Sequence, residues 1–290
     1  MYDLDVLVIG HIDKGRVIIG GKAQSIAGGA VYFGGMVLCA LGLRVGVVTR
    51  VAKDDLDLLR ELENAGARIF PVFSRETTAI ENVLPDPNSD QRRCFRRGFA
   101  GTFQPEDLPP VQAKLYYVGT IITDEINILF LRVLAERGPI ALDAQGCLRK
   151  LVGDELVTDG WEWADEALPL VQFLKVDDKE ARALTGESSL HKAAEILSHR
   201  GPREVVLTHR DGVLVWSEGK FFEAPFKPSS LAGRTGRGDT CFSAYLGRRL
   251  LGDSPDQATR FAAALTTIKL EHPGPFRSPL AEVYRRMAAL

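Results

Sequence analysis

Asp239 lies near the end of the run Gly233-Arg-Thr-Gly-Arg-Gly-Asp-Thr240, and that run opens onto a helical pattern, Cys241 to Leu251. Gly236 and Gly238 permit a tight backbone turn directly before a helix. The first N–H groups of a helix lack intrahelical acceptors, and together with the helix dipole they favour an anion. A carboxylate inside such a turn can take a proton from an attacking hydroxyl, while the amides of Gly236 to Gly238 stabilise a transferring phosphoryl group. Taken alone, the run also fits a plainer reading, a helix start whose Asp complements the dipole. Cys241 follows the turn and reads as a small apolar helix residue rather than a redox group.

The elements that must position this turn follow a regular rhythm. Leu4 to Gly10, Arg44 to Arg50, Lys114 to Gly119, Pro139 to Asp143, Gln172 to Val176 and Arg203 to Thr208 are apolar runs of strand length without strict alternation, as in strands buried on both faces. Helical patterns lie between them, over 30–42, 54–66, 124–137, 178–200, 238–251 and 255–271. The series predicts a parallel sheet with helices on both faces and a ligand site at the strands' carboxyl edge. Two segments break the rhythm. Arg16 to Ile26 turns at Gly20-Gly21, and Thr77 to Leu84 with Arg92 to Phe99 flank the turn signal Pro85-Asp-Pro-Asn-Ser-Asp90. They predict a small β-sheet, a lid, from segments about 11–27 and 75–100 within one domain spanning 1–290.

Single residues add candidates. His11 ends the first strand, where it either contacts substrate or sits satisfied beneath the lid. Glu81 and Asn82 lie side by side in a lid strand, so one of them faces the cavity. Arg92, Arg93, Arg96 and Arg97 suit either a solvated strand face or contacts to a phosphate or substrate. His209 reads as a turn residue, and Trp161 and Trp163 as surface packing.

Composition narrows the partners. Of 290 residues, 36 are Lys or Arg and 38 Asp or Glu, so the formal charge of -2 gives no reason to expect nucleic acid or a membrane as the main partner. The four cysteines stand apart, with no metal-ligand spacing, which fits a reducing compartment. No apolar run approaches the roughly 18 residues of a membrane span, and no signal-peptide pattern opens the chain. A cytoplasmic protein is expected.

In order along the chain, several motifs resemble the PfkB (ribokinase) family of sugar kinases. Thr235, Gly236, Gly238 and Asp239 match its C-terminal signature at the same spacing. Gly28-Gly29-Ala30, followed by Leu41-Gly42 and Val45-Gly-Val-Val-Thr49, resembles its N-terminal one. Asp143-Ala-Gln-Gly146 with Arg149, Asp177-Asp-Lys-Glu180 before Leu184-Thr-Gly186, and Thr208-His-Arg-Asp-Gly212 stand where the family has its intervening motifs. The resemblance implies a ribokinase-like three-layer αβα sandwich and an ATP-dependent kinase using Mg²⁺. In it Asp239 is the general base, and the turn with Gly236, Arg237 and Gly238 surrounds the phosphoryl group. Asp177 and Glu180 would organise Mg²⁺ through water, Thr235, Thr208 and Gly212 would line the nucleotide, and Ala263 would touch adenine. Acceptor contacts would come from His11, Asp13, Gly28, Gly29, Asn82, Gln145 and Arg149.

Departures from the family pattern carry their own expectations. Gly233 replaces an Asp that helps relatives hold a monovalent cation; Arg234 and Arg237 bring guanidinium groups that either supplement the missing cation beside a phosphate site or point to solvent or pair with carboxylates. Val31-Tyr-Phe33 and Gly10-His-Ile-Asp13 alter the sugar pocket. With Asp-Ala-Gln-Gly and His272-Pro-Gly-Pro275, they resemble the branch that includes myo-inositol kinases. The expected acceptor is therefore a small polyol or sugar, inositol among them. Two alternatives stay open: a nucleoside or hydroxymethylpyrimidine kinase on the same scaffold, and a catalytically silent nucleotide-binding regulator. Exposed lid edges leave a homodimer through the lid open as well.

Overall fold

In the computed structural model residues 2–84 and 92–290 are described; the Pro85–Asp90 turn signal lies outside them. Nine strands form the main sheet, in the order Lys220–Pro225, Gly212–Ser217, Glu204–Thr208, Phe173–Asp177, Ile140–Asp143, Ala113–Gly119, Leu4–Ile9, Val45–Val51 and Arg68–Phe73. Pairing is parallel from Glu204–Thr208 to Arg68–Phe73, and antiparallel at the hairpin that closes the other edge. The first strand explains why its sequence does not alternate. Val6 and Val8 enter one apolar core, Leu7 and Ile9 the other, and all four are buried completely. Helices Ala30–Ala40, Arg237–Leu250 and Pro255–Glu271 cover the first core, while Ile128–Arg137 and Leu190–His199 cover the second.

This is the expected ribokinase-like α/β sandwich, with differences at its margins. The helical stretch 178–200 is two helices, because Gly186 takes a left-handed conformation (φ 75) and Ser189 caps a second start. Trp161 is not on the surface but buried in the second core at 6% exposure, edge-on to Trp163. Among the described residues no helix is long and apolar enough to cross a membrane.

Six strands form the second sheet, in the order Arg149–Val152, Glu155–Thr158, Arg93–Gly98, Ala79–Leu84, Asp13–Ile19 and Lys22–Gly28. Four come from the two segments expected to leave the main body. The Arg149–Thr158 hairpin is an addition that the sequence reading missed, although Gly153 (φ 64) supplies a turn signal. Strand alternation sorts the lid's side chains: Glu81 points away from the cavity into ion pairs with Arg16 and Arg97, and Asn82 points toward it.

Candidate active site

Parallel strands bring their carboxyl ends to one edge, and Asp143, Asp177 and Thr208 are each the last residue of a strand. Between that edge and the lid is a cavity of about 490 Å³. The Gly233–Thr240 run forms its floor. Gly236 is left-handed (φ 80), and a Cβ on it would lie 2.3 Å from the Phe33 ring. At Gly238 a Cβ would lie 3.1 Å from Lys175 Nζ. Gly236 is a steric requirement of the turn, while at Gly238 a side chain would press on the Lys175 ammonium. The Arg237 amide donates to Arg234 O at 3.3 Å, and the Thr240 amide to Gly236 O at 3.0 Å. Among the described residues the amides of Gly236, Gly238 and Asp239 have no acceptor from helix or turn, whereas that of Arg237 does.

Asp239 lines the cavity, in part open to it and otherwise enclosed by protein. Burial raises its pKa, while Lys175, Arg92, Lys269 and Arg149 act in the opposite direction. A carboxylate so placed is more basic than a solvated one, which suits proton abstraction from a hydroxyl.

Lys175 sits behind the turn at 3% exposure, with Nζ 3.1 Å from Asp143 and 3.6 Å from Glu180. Burial works against its charge, but Asp143 and Glu180 hold the ammonium above the usual lysine range. Burial also lifts the carboxyls of Asp143, to about 6, and of Glu180, to about 7, against the pull of Lys175. Asp177 and Glu180 are fixed by a reciprocal cap. Asp177 Oδ1 accepts from the amides of Lys179 and Glu180, and Glu180 Oε2 accepts from the Asp177 amide at 2.7 Å. Gln145 Nε2 reaches Glu180 Oε1 at 3.4 Å.

Among the described residues no three acidic, His or Cys groups converge to enclose a metal. Mg²⁺ keeps several waters and binds through one or two carboxylates plus phosphate oxygens. Asp177 and Glu180, both lining the cavity, fit that mode of binding.

Toward the lid, Asp13 is buried at 6% exposure and accepts from the Ile80 amide at 2.8 Å. Burial raises its pKa to about 7, with the Ile80 amide and Arg149 opposing. Arg149 donates to the Ile121 carbonyl. Burial lowers its pKa, and Glu180 and Asp13 are among the charges that act against that. It links the two ends of the cavity.

Fourteen of the seventeen expected site residues line this one cavity: Asp13, Gly28, Gly29, Asn82, Gln145, Arg149, Asp177, Glu180, Thr208, Thr235, Gly236, Arg237, Gly238 and Asp239. Three do not. His11 is fully buried, its Nε2 donating to Gly101 O and its Nδ1 accepting from Thr78 Oγ1, between Phe99 and Phe103. Burial pulls its pKa down to about 3, so it is a neutral structural histidine. Gly212 belongs to the hairpin turn, where its carbonyl accepts from the His209 amide. Ala263 is fully buried in the helix core.

Residues outside that expected set also line the cavity. Lys175 lay hidden in an apolar strand; Phe33, read from sequence as part of an altered sugar pocket, lines the cavity with it. Of the four clustered arginines only Arg92 reaches it, while Arg93 and Arg97 pair with lid acids. Arg210 and Arg234 complete a basic rim at the turn.

The model of the family described as pfkB family carbohydrate kinase matches residues 1–281. A solved pyrophosphate-dependent kinase of the ribokinase family, complexed with a pyrophosphate analog and myo-inositol, is 32% identical. It superposes with a TM-score of 0.89 over 98% of this chain and 100% of its own. A cytidine kinase of Thermococcus kodakarensis is 26% identical over 84% of this chain and 87% of its own length. A ribokinase of Arabidopsis thaliana, complexed with ribose and ATP, shares the fold at a TM-score of 0.76, 17% identity and 99% coverage of both chains.

Proposed function

The chain belongs to the pfkB family of carbohydrate kinases, and we propose that it transfers a phosphoryl group from pyrophosphate to one hydroxyl of a cyclic polyol of the myo-inositol type. The observation that carries the reading is the meeting of Asp239, the amides of Gly238 and Asp239, and a basic rim of Arg210, Arg234 and Arg237 in one cavity. Asp239 takes the proton from the acceptor hydroxyl as its oxygen attacks phosphorus. The bridging P–O bond breaks and orthophosphate leaves, while the two amides and the helix dipole stabilise the equatorial oxygens.

Donor choice rests on two observations. Of the residues expected along a nucleotide, Thr208 and Thr235 line the cavity, but Gly212 and Ala263, the latter expected at adenine, are outside it, and the basic rim suits an inorganic polyanion. A relative 32% identical over nearly the whole chain uses pyrophosphate. A Mg²⁺ ion held through water by Asp177 and Glu180 would neutralise charge on the donor. On the acceptor side, Asp13, Asn82, Gln145 and Arg149 offer both hydrogen-bond donors and acceptors to a ring of hydroxyls. The lid excludes water, which otherwise competes as the acceptor.

Initial rates with pyrophosphate or ATP, across myo-inositol, other polyols, sugars and cytidine, test the assignment. The expected pattern is orthophosphate release with pyrophosphate and a cyclic polyol, at least tenfold faster than ADP release from ATP. Turnover with ATP alone, or with cytidine alone, would replace the donor or the acceptor respectively.

A further inference from the structure

The turn that carries the anion site rests on a buried ammonium group. Gly233 lies directly on the end of the helix Pro255–Glu271, where its amide donates to Leu270 O at 2.8 Å. A Cβ at Gly233 would fall 1.9 Å from His272 O and 2.5 Å from Lys269 O. No side chain fits there, so the carboxylate that the family pattern places at this position is sterically excluded.

Lys269, in the last turn of that helix, is 1% exposed. Its Nζ donates to the carbonyl oxygens of Gly233 and of Thr235, the latter at 2.5 Å. It also lies 5.3 Å from the centre of the Phe33 ring, the ring on which Gly236 packs. Two inward carbonyls and an aromatic face are the surroundings a monovalent cation would take, and here the chain itself supplies the cation. A buried charge is costly, and an apolar side chain would fill the space more favourably if filling were all that mattered. Burial pulls the lysine's pKa down to about 8, and the Asp239 carboxylate opposes that pull.

We propose that Lys269 is the built-in monovalent cation of this kinase. It is a positioning residue whose ammonium ties down the Gly233–Gly236 turn, so that the amides of Gly238 and Asp239 meet the transferred phosphoryl group. The cation role that the sequence left open to Arg234 and Arg237 passes to Lys269; both arginines line the cavity instead. The proposal rests on the catalytic reading of Asp239. It does not depend on which donor or acceptor is correct.

Rates of wild type, Lys269→Ala and Lys269→Met in sodium, potassium, ammonium and tetramethylammonium chlorides, at matched ionic strength, test it. The assay uses whichever donor and acceptor support turnover, so a wrong donor leaves the test standing. Wild type should vary less than about twofold among the salts. Lys269→Ala should lose roughly 10²-fold in kcat, the scale of a lost oxyanion-stabilising group. Ammonium or potassium should restore it at least tenfold, and tetramethylammonium should not. Lys269→Met, which fills the space, should be equally slow and beyond rescue. Melting temperatures separate misfolding from loss of charge. Several-fold activation of the wild type by potassium, a Lys269→Met kcat within threefold of wild type, or a folded Lys269→Ala that no cation restores would each overturn the proposal. The wild-type arm decides even if both variants fail to fold.

Discussion

The floor of the cavity and the lid above it are both crowded with charge, but they hold it in opposite ways. On the floor Lys175, Asp143, Glu180 and Lys269 are all at most 4% exposed. Across the lid, the guanidinium side chains of Arg16, Arg93 and Arg97 pair with Glu81, Glu155 and Asp154 while remaining 42–60% exposed. Water screens the Arg93–Glu155 and Arg97–Asp154 pairs, so each contributes little beyond alignment of neighbouring strands, while Glu81, itself buried, is shared by two half-exposed arginines. The floor charges are screened far less and act strongly on one another and on whatever enters the cavity. The molecule thus keeps its chemistry on a rigid, expensive base and its coverage on an inexpensive one. Perturbations of the two regions should differ accordingly.

Asp239→Asn should produce the largest effect, a fall in kcat of roughly 10²–10⁴-fold with donor binding retained. The amide keeps the shape and removes the proton acceptor. Retention of more than a tenth of wild-type kcat would remove Asp239 from the role of base.

Lys175→Met comes next. It leaves Asp143 and Glu180 buried without their cation, and the expected destabilisation is about 3–5 kcal/mol by denaturant titration. A loss below about 1 kcal/mol would mean that the floor behaves like the lid.

Asp13 belongs to both regions, buried like the floor yet carried by a lid strand. As pH falls through about 7 its carboxylate takes up a proton. Charge-assisted hydrogen bonds to an acceptor hydroxyl are lost below that pH and present above it. KM for the polyol should therefore rise several-fold, up to about tenfold, from pH 8 to pH 6. Asp13→Asn should have a KM that is high and flat across that range. The same pH profile in wild type and variant would assign the titration elsewhere.

The smallest effect is expected for Arg97→Ala, which breaks two lid ion pairs. Stability should change by less than about 1 kcal/mol and kcat by less than threefold. A tenfold loss in kcat would show that lid electrostatics reach the chemical step.

Legibility in the sequence follows the same division. The catalytic turn is contiguous, so its glycines and Asp239 could be read directly, and the strand ends Asp177 and Thr208 followed from the alternation of elements. What lay hidden came from elsewhere in the chain. Lys175 stands in Phe-Leu-Lys-Val-Asp and Lys269 in Thr-Ile-Lys-Leu-Glu, where a lysine reads as a solvated interruption of an apolar pattern. Only the tertiary fold shows that both amines turn inward. His11 was located at the right strand end, but sequence carries no information on ring direction, and the ring turns toward Thr78 and Gly101. Gly212 and Ala263 follow the family's motif order, which fixes place along the chain without fixing which surface a residue meets.

The central claim is direct phosphoryl transfer from donor to acceptor under a lid that excludes water. Phosphorus NMR of wild-type protein with Mg²⁺, pyrophosphate and myo-inositol reads it most directly, with a parallel sample lacking the polyol. The account predicts one phosphomonoester for each orthophosphate released, and at least tenfold slower orthophosphate release when the polyol is left out. Orthophosphate appearing at the same rate with and without the polyol, and no ester, would contradict it.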